Sequence, residues 1–159
     1  MTTLAVVAND FLGQRRIALV GVSRDPRDLS RSLFRELRGR GYELVPVHPL
    51  LESVDGVPCA QRLQDIRPPV DGALLMTPPA ATDRVVRDCK EAGVTRVWMH
   101  RGTGRGAVSP TAVAYCHEHG IAVVEGACPF MFLPRAGFVH RTHGFFARLF
   151  GRHPAQHAA

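Results

Sequence analysis

The stretch VGVSRDPRDLS, Val20 to Ser30, gathers the side chains in this chain best suited to holding an anion. Gly21 lets a ligand approach the main chain closely, Ser23 offers a hydroxyl donor, and Arg24 and Arg27 offer guanidinium groups to phosphate oxygens. Asp28 or Ser30 is placed to cap a helix beginning near Leu29, whose free N–H groups would face the same point. Phosphate is the natural guest of such a loop. A branched residue at Gly21 is therefore expected to block the ligand while leaving the fold intact. The same residues also suit an ordinary strand-to-helix turn with surface arginines, and the loop alone does not separate the two.

Other candidate chemistry is weaker. A dinucleotide-binding fold usually ends its second strand in an acid for the ribose hydroxyls, whereas ELVPVHP ends in Val47, His48 and Pro49. RGTGRGA, Arg101 to Ala107, spells G-x-G-x-x-A, but it follows the fourth strand and reads as a glycine loop whose neighbours His100, Arg101 and Gly102 lie near a ligand crevice. Cys116, His117 and His119 share one helix, and His140 and His143 follow. His117 and His119 point to different sides of a helix, so no metal is expected. Cys128, before Pro129, suits either a thiol role, including a mixed disulfide with a thiol ligand, or a small buried side chain. No serine lies in G-x-S-x-G, and no catalytic residue is assigned.

These residues need a frame. Apolar runs alternate with segments of helical period, the pattern of an α/β fold with a parallel sheet between helix layers. Strands are expected at Arg16 to Val22, Tyr42 to Val47, Val70 to Met76, Thr95 to His100 and Ile121 to Val124. Between them, helical stripes run through Leu29, Leu33, Phe34 and Leu37, through Val85, Val86, Cys89 and Ala92, and through Ala112, Val113 and Cys116, with a short helix at Gln61 to Ile66. Right-handed crossovers favour a doubly wound sheet of order 3-2-1-4-5, with the crevice where strands one and four diverge. The pattern divides the chain into a domain over 14–134 and a basic aromatic tail over 135–159. Phe145, Phe146, Leu149 and Phe150 of the tail form an apolar helix face able to dock on the domain or on a second copy in a homodimer.

A chain of 159 residues fits one domain. Its net charge of +6 is uneven, for the four arginines after Pro134 meet no acid. Such a balance implies only general attraction to anions, and no nucleic-acid partner is expected. No window is long enough for a membrane span, and the four cysteines form no C-x-x-C pair, which together point to the cytoplasm.

In order and near spacing, VGVSRDPRDLS, GYELVPVHP, GVPCAQRLQDI, PVD, VWMHRG and ACP resemble the small stand-alone CoA-binding proteins that are similar to the first domain of succinyl-CoA ligase alpha chains. The resemblance covers about residues 14–134. It implies a Rossmann-like domain that binds CoA or acyl-CoA by its ADP part, with Ser23, Arg24, Asp25 and Pro26 in the phosphate loop, the stretch after Val47 near the nucleotide, and His100, Arg101 and Gly102 across the crevice. The candidate binding set is thus Gly21, Val22, Ser23, Arg24, Asp25, Pro26, Arg27 and Ser30, then Val47, His48 and Pro49, then Thr77 and Pro78, then His100, Arg101 and Gly102. The family often has asparagine where His48 stands and a lysine soon after the proline, whereas Leu50 and Leu51 follow Pro49 here. The ligase's phosphorylated histidine belongs to a further domain that this sequence lacks, so a non-catalytic binding or sensing module is expected. The rival class is an enzyme acting on a CoA thioester or a nicotinamide-dependent oxidoreductase.

Overall fold

Ile17, Ala18, Leu19 and Val20 are apolar on both sides of the chain, and the sheet is built outward from them. The computed structural model describes residues 2–102 and 106–134, and the apolar tail residues Phe145, Phe146, Leu149 and Phe150 lie outside that range, as do His140 and His143. In chain order come a helix at Leu4–Leu12 (α1), a strand at Arg16–Val20 (β1), a helix at Leu29–Gly39 (α2) and a strand at Glu43–Val47 (β2). Two short strands, Ser53–Val54 (β3) and Val57–Pro58 (β4), form a hairpin. Then follow Gly72–Leu75 (β5), Pro79–Glu91 (α3), Arg96–His100 (β6), Pro110–Glu118 (α4) and Ala122–Ala127 (β7).

The five-stranded parallel α/β sheet has the order β2-β1-β5-β6-β7. This corrects the expected 3-2-1-4-5: the third long strand lies beside the first, not outside the second. Both reasons are local. Pro46 has no N–H to give a second neighbour, which confines β2 to an edge, where its one sheet partner is β1. All four residues of β5 are buried, as a strand covered on both faces and flanked on both sides requires. The order in which successive strands are laid across the sheet therefore reverses between β1 and β5, and the crevice moves there from strands one and four.

Helices cover both faces. Ala8 and Phe11 of α1 join Leu33, Phe34 and Leu37 of α2 in a core with Leu19, Leu74 and Trp98. Val85, Val86 and Cys89 of α3 and Ala112 and Cys116 of α4 pack against Ala18, Leu75 and Met99 on the other face. Helix α1 was not foreseen from the sequence. Its Phe11 ring sits on Gly72, where a Cβ would lie 2.9 Å from the ring, and meets Trp98 edge-on with ring centres 5.4 Å apart. Asp28 caps α2 by accepting from the Ser30 N–H, Ser109 caps α4, and Pro79 and Pro110 occupy first-turn positions. The short helix expected at Gln61 to Ile66 is a single 3₁₀ turn at Leu63–Asp65. Among the described residues, no helix is long and apolar enough to cross a membrane.

Candidate functional site

Parallel pairing brings the carboxyl ends of the strands to one edge. Val20 is level with Val47 and with Leu75, and Leu75 with Met99, so His48, Gly21, Met76 and His100 are the next residues along four adjacent strands. Gly21 turns with φ +89° and donates its N–H to the Val47 carbonyl at 3.4 Å. That backbone region suits glycine.

The loop beyond Gly21 is held by its own hydrogen bonds. Ser23 N–H donates to Ser30 Oγ at 2.8 Å, and Ser30 Oγ donates to Asp28 Oδ1 at 2.5 Å. Asp25 N–H donates to Ser23 Oγ at 3.1 Å, and Arg27 N–H to Asp25 Oδ1 at 2.9 Å. Val22 and Ser30 are buried, while Arg24, Asp25, Pro26 and Arg27 are exposed. The Arg27 guanidinium reaches Asp25 at 3.4 Å. Arg24 is exposed and makes no hydrogen bond or ion pair among the described residues.

At the end of β2, Nδ1 of His48 accepts the N–H groups of Leu50 at 3.0 Å and Leu51 at 3.1 Å. Histidine here closes a turn, as a short polar side chain does elsewhere. Pro49 and Leu50 are exposed beyond it. After β5, Thr77 Oγ1 and Thr82 Oγ1 share a hydrogen bond of 2.7 Å, and Pro78 leads into α3.

His100 ends β6 and is 5% exposed, with its Nε2 buried and without a partner among the described residues. Burial lowers its pKa from 6.5 to about 4, so the ring is neutral at physiological pH. Arg101 donates its backbone N–H to Ala127 at 3.3 Å, and its side chain crosses Gly126, where a Cβ would lie 3.4 Å from Arg101 Cδ. A cleft of about 500 Å³ opens beside it, lined by Pro79, Ala80 and Asp83 of α3, Arg101, and Val108, Ser109 and Pro110 at the start of α4. Ser109 Oγ donates to Asp83 across this cleft.

The CoA binding domain model matches residues 15–134. The chain belongs to the CoA-binding domain family. It is 26% identical over 125 residues to the alpha subunit of an ADP-forming acetate–CoA ligase II of Pyrococcus furiosus, covering 74% of this chain but 27% of the subunit. The chain thus spans about a quarter of that relative's length. An uncharacterised Bacillus subtilis protein, YneT, is 26% identical over 114 residues and is covered to 82% of its length, with 72% of this chain aligned. A hypothetical protein from Pyrococcus horikoshii has the same fold with a TM-score of 0.74 and 24% identity, over 82% of this chain and 89% of its own.

In this CoA-binding domain, Gly21 to Ser30, Val47 to Pro49, Thr77 and Pro78, and His100 to Gly102 all leave the sheet at the same edge. Gly106, from the glycine loop, serves the packing of the chain, since a Cβ there would collide with the His100 carbonyl oxygen. Of the candidate metal-ligating residues, Cys116 of α4 is buried in the core, and His119, just beyond α4, stacks on Tyr115 with ring centres 4.0 Å apart. Cys128 is buried, and burial raises its pKa, which favours the unreactive thiol.

The sequence reading missed Arg31. Its Nη1 donates to the Ser23 carbonyl at 3.3 Å and its Nη2 to Asp55 in the β3–β4 turn, so it ties the loop after β1 to the hairpin after β2. Its spacing from Arg35 and Arg38 gave the one signal, a stripe that is most often a solvated helix face.

Proposed function

We propose that this domain binds CoA or an acyl-CoA by its ADP portion at the edge where β1 and β5 part, as a binding or sensing module and not as a catalyst. The observation that carries this reading is the family match across 15–134, which spans every strand end of that edge. The diphosphate takes the loop at Gly21, Ser23 and Arg24, which leads into the N-terminus of α2. The adenosine lies toward Val47, His48 and Pro49. The pantetheine arm runs past Thr77 and Pro78 to His100, Arg101 and Gly102, and its thiol end enters the cleft at Arg101.

Several features support binding over chemistry. The Cys128 thiol is buried with a raised pKa, and among the described residues no partner meets the buried His100 Nε2 to poise the ring as a base. A reductase reading finds no acid at the end of β2, where His48 spends its acceptor nitrogen on a turn. Four free cysteines support a reducing compartment, the cytoplasm. Mass spectrometry of the small molecule retained on purification tests the reading. CoA or an acyl-CoA supports it, and NAD or NADP overturns it.

A further inference from the structure

The turn between β3 and β4 is gripped by α2. Asp55, at φ 46°, pairs with Arg31 and with Arg35 at 3.4 Å, and its carbonyl accepts from Arg38 at 3.4 Å. Arg35 also donates to the Pro26 carbonyl at 2.8 Å, so two arginines reach both the loop after β1 and the hairpin after β2. Three guanidinium groups face one carboxylate, an excess of two positive charges. Arg31 is 9% exposed, yet its Nε is buried without an acceptor. A guanidinium has five N–H donors, and burying one unmet is unfavourable.

That position is where the adenosine side of the ligand lies in the function proposed above, on which this inference rests. CoA differs from other ADP-containing cofactors there by a phosphate on the ribose 3′-oxygen. A phosphate monoester carries close to two negative charges at neutral pH, equal to the excess. The element expected to supply a cation, the segment after Pro49, offers only Leu50, 75% exposed, and Leu51. We propose that Arg31 and Arg35 of α2 form the seat of the CoA 3′-phosphate and make this domain select CoA over nucleotides that lack it. Arginine suits this role because its planar fork meets two phosphate oxygens at once.

Calorimetry with CoA and 3′-dephospho-CoA on the full chain tests this. The wild type is expected to bind CoA roughly tenfold or more tightly, the worth of one charge-assisted contact. Arg31→Gln and Arg35→Gln should each shrink that ratio, weakening CoA more than dephospho-CoA, whereas a loosening of the loop after β1, which both arginines also hold, would weaken the two compounds alike. Should Arg31→Gln lose its native circular dichroism, Arg35→Gln decides alone, since that side chain is 46% exposed. Equal affinity of the wild type for both compounds overturns the inference, as does a ratio preserved in Arg35→Gln; both results leave CoA binding itself intact. If the wild type binds neither compound, the CoA reading falls, and this inference with it.

Discussion

Gly21 and Met76 approach so closely that a Cβ on the glycine would lie 2.9 Å from the methionine carbonyl oxygen, and 3.0 Å from Thr77 Cγ2. The contact marks the point where the end of β1 passes the exit of β5. Gly21→Ala would add both this contact and an unfavourable positive φ, and is predicted to destabilise the protein by about 2 kcal/mol. Urea unfolding measures it as a lower midpoint with unchanged slope. Gly21→Val should cost more. This corrects the expectation that valine there leaves the fold intact: loss of ligand in that variant does not isolate a phosphate contact.

Arg24 gives the cleaner probe, because no described residue holds it. Arg24→Ala is predicted to keep the wild-type melting temperature, to weaken CoA roughly tenfold and to flatten the salt dependence of binding. Arg27→Ala should do less, since Arg27 already shares Asp25. Unchanged CoA affinity in both variants removes the basic loop from the site.

His100 sets a pH window. Its pKa is about 4 when folded against 6.5 for a free ring, so between those values the unfolded chain binds more protons and stability rises with pH. Acidification from pH 6.5 to 4 is predicted to remove on the order of 3 kcal/mol through this residue. Asp55, whose carboxyl is held below its usual range chiefly by its hydrogen bond to Arg31, acts below that window. His100→Gln should show a shallower loss of melting temperature over the same range. An identical slope would mean that the ring is protonated in the folded protein.

Thiol labelling checks the cysteines. Cys59 is half-buried while Cys89, Cys116 and Cys128 are buried, and burial raises the pKa of all four. Slow modification at Cys59 alone is expected from the native protein at neutral pH. Fast labelling of Cys128 would restore a thiol role for it.

Much of this fold is written in local patterns. The five long strands and three of the helices announce themselves by apolar runs, by the Asp28 and Ser109 caps, and by prolines at helix starts. Strand order was also encoded, in Pro46 and in the unbroken apolar run of β5, but the crossover rules alone admit both orders, and those two signals decide between them. Helix α1 stayed hidden because its period is short and its burial depends on Gly72, distant in sequence. The candidate site was legible as a loop of suitable residues. The link of Arg31 to Asp55 was not, since pairing across 24 positions leaves no periodic trace.

The most direct test of the central claim is a titration of isotope-labelled protein with CoA, followed by amide chemical shifts. Saturable shifts are expected at Gly21 to Ser30, Val47 to Leu51, Thr77 and His100 to Gly102, with the amides of α1 unmoved. No saturable shift with CoA, or shifts gathered away from the edge between β1 and β5, would contradict it.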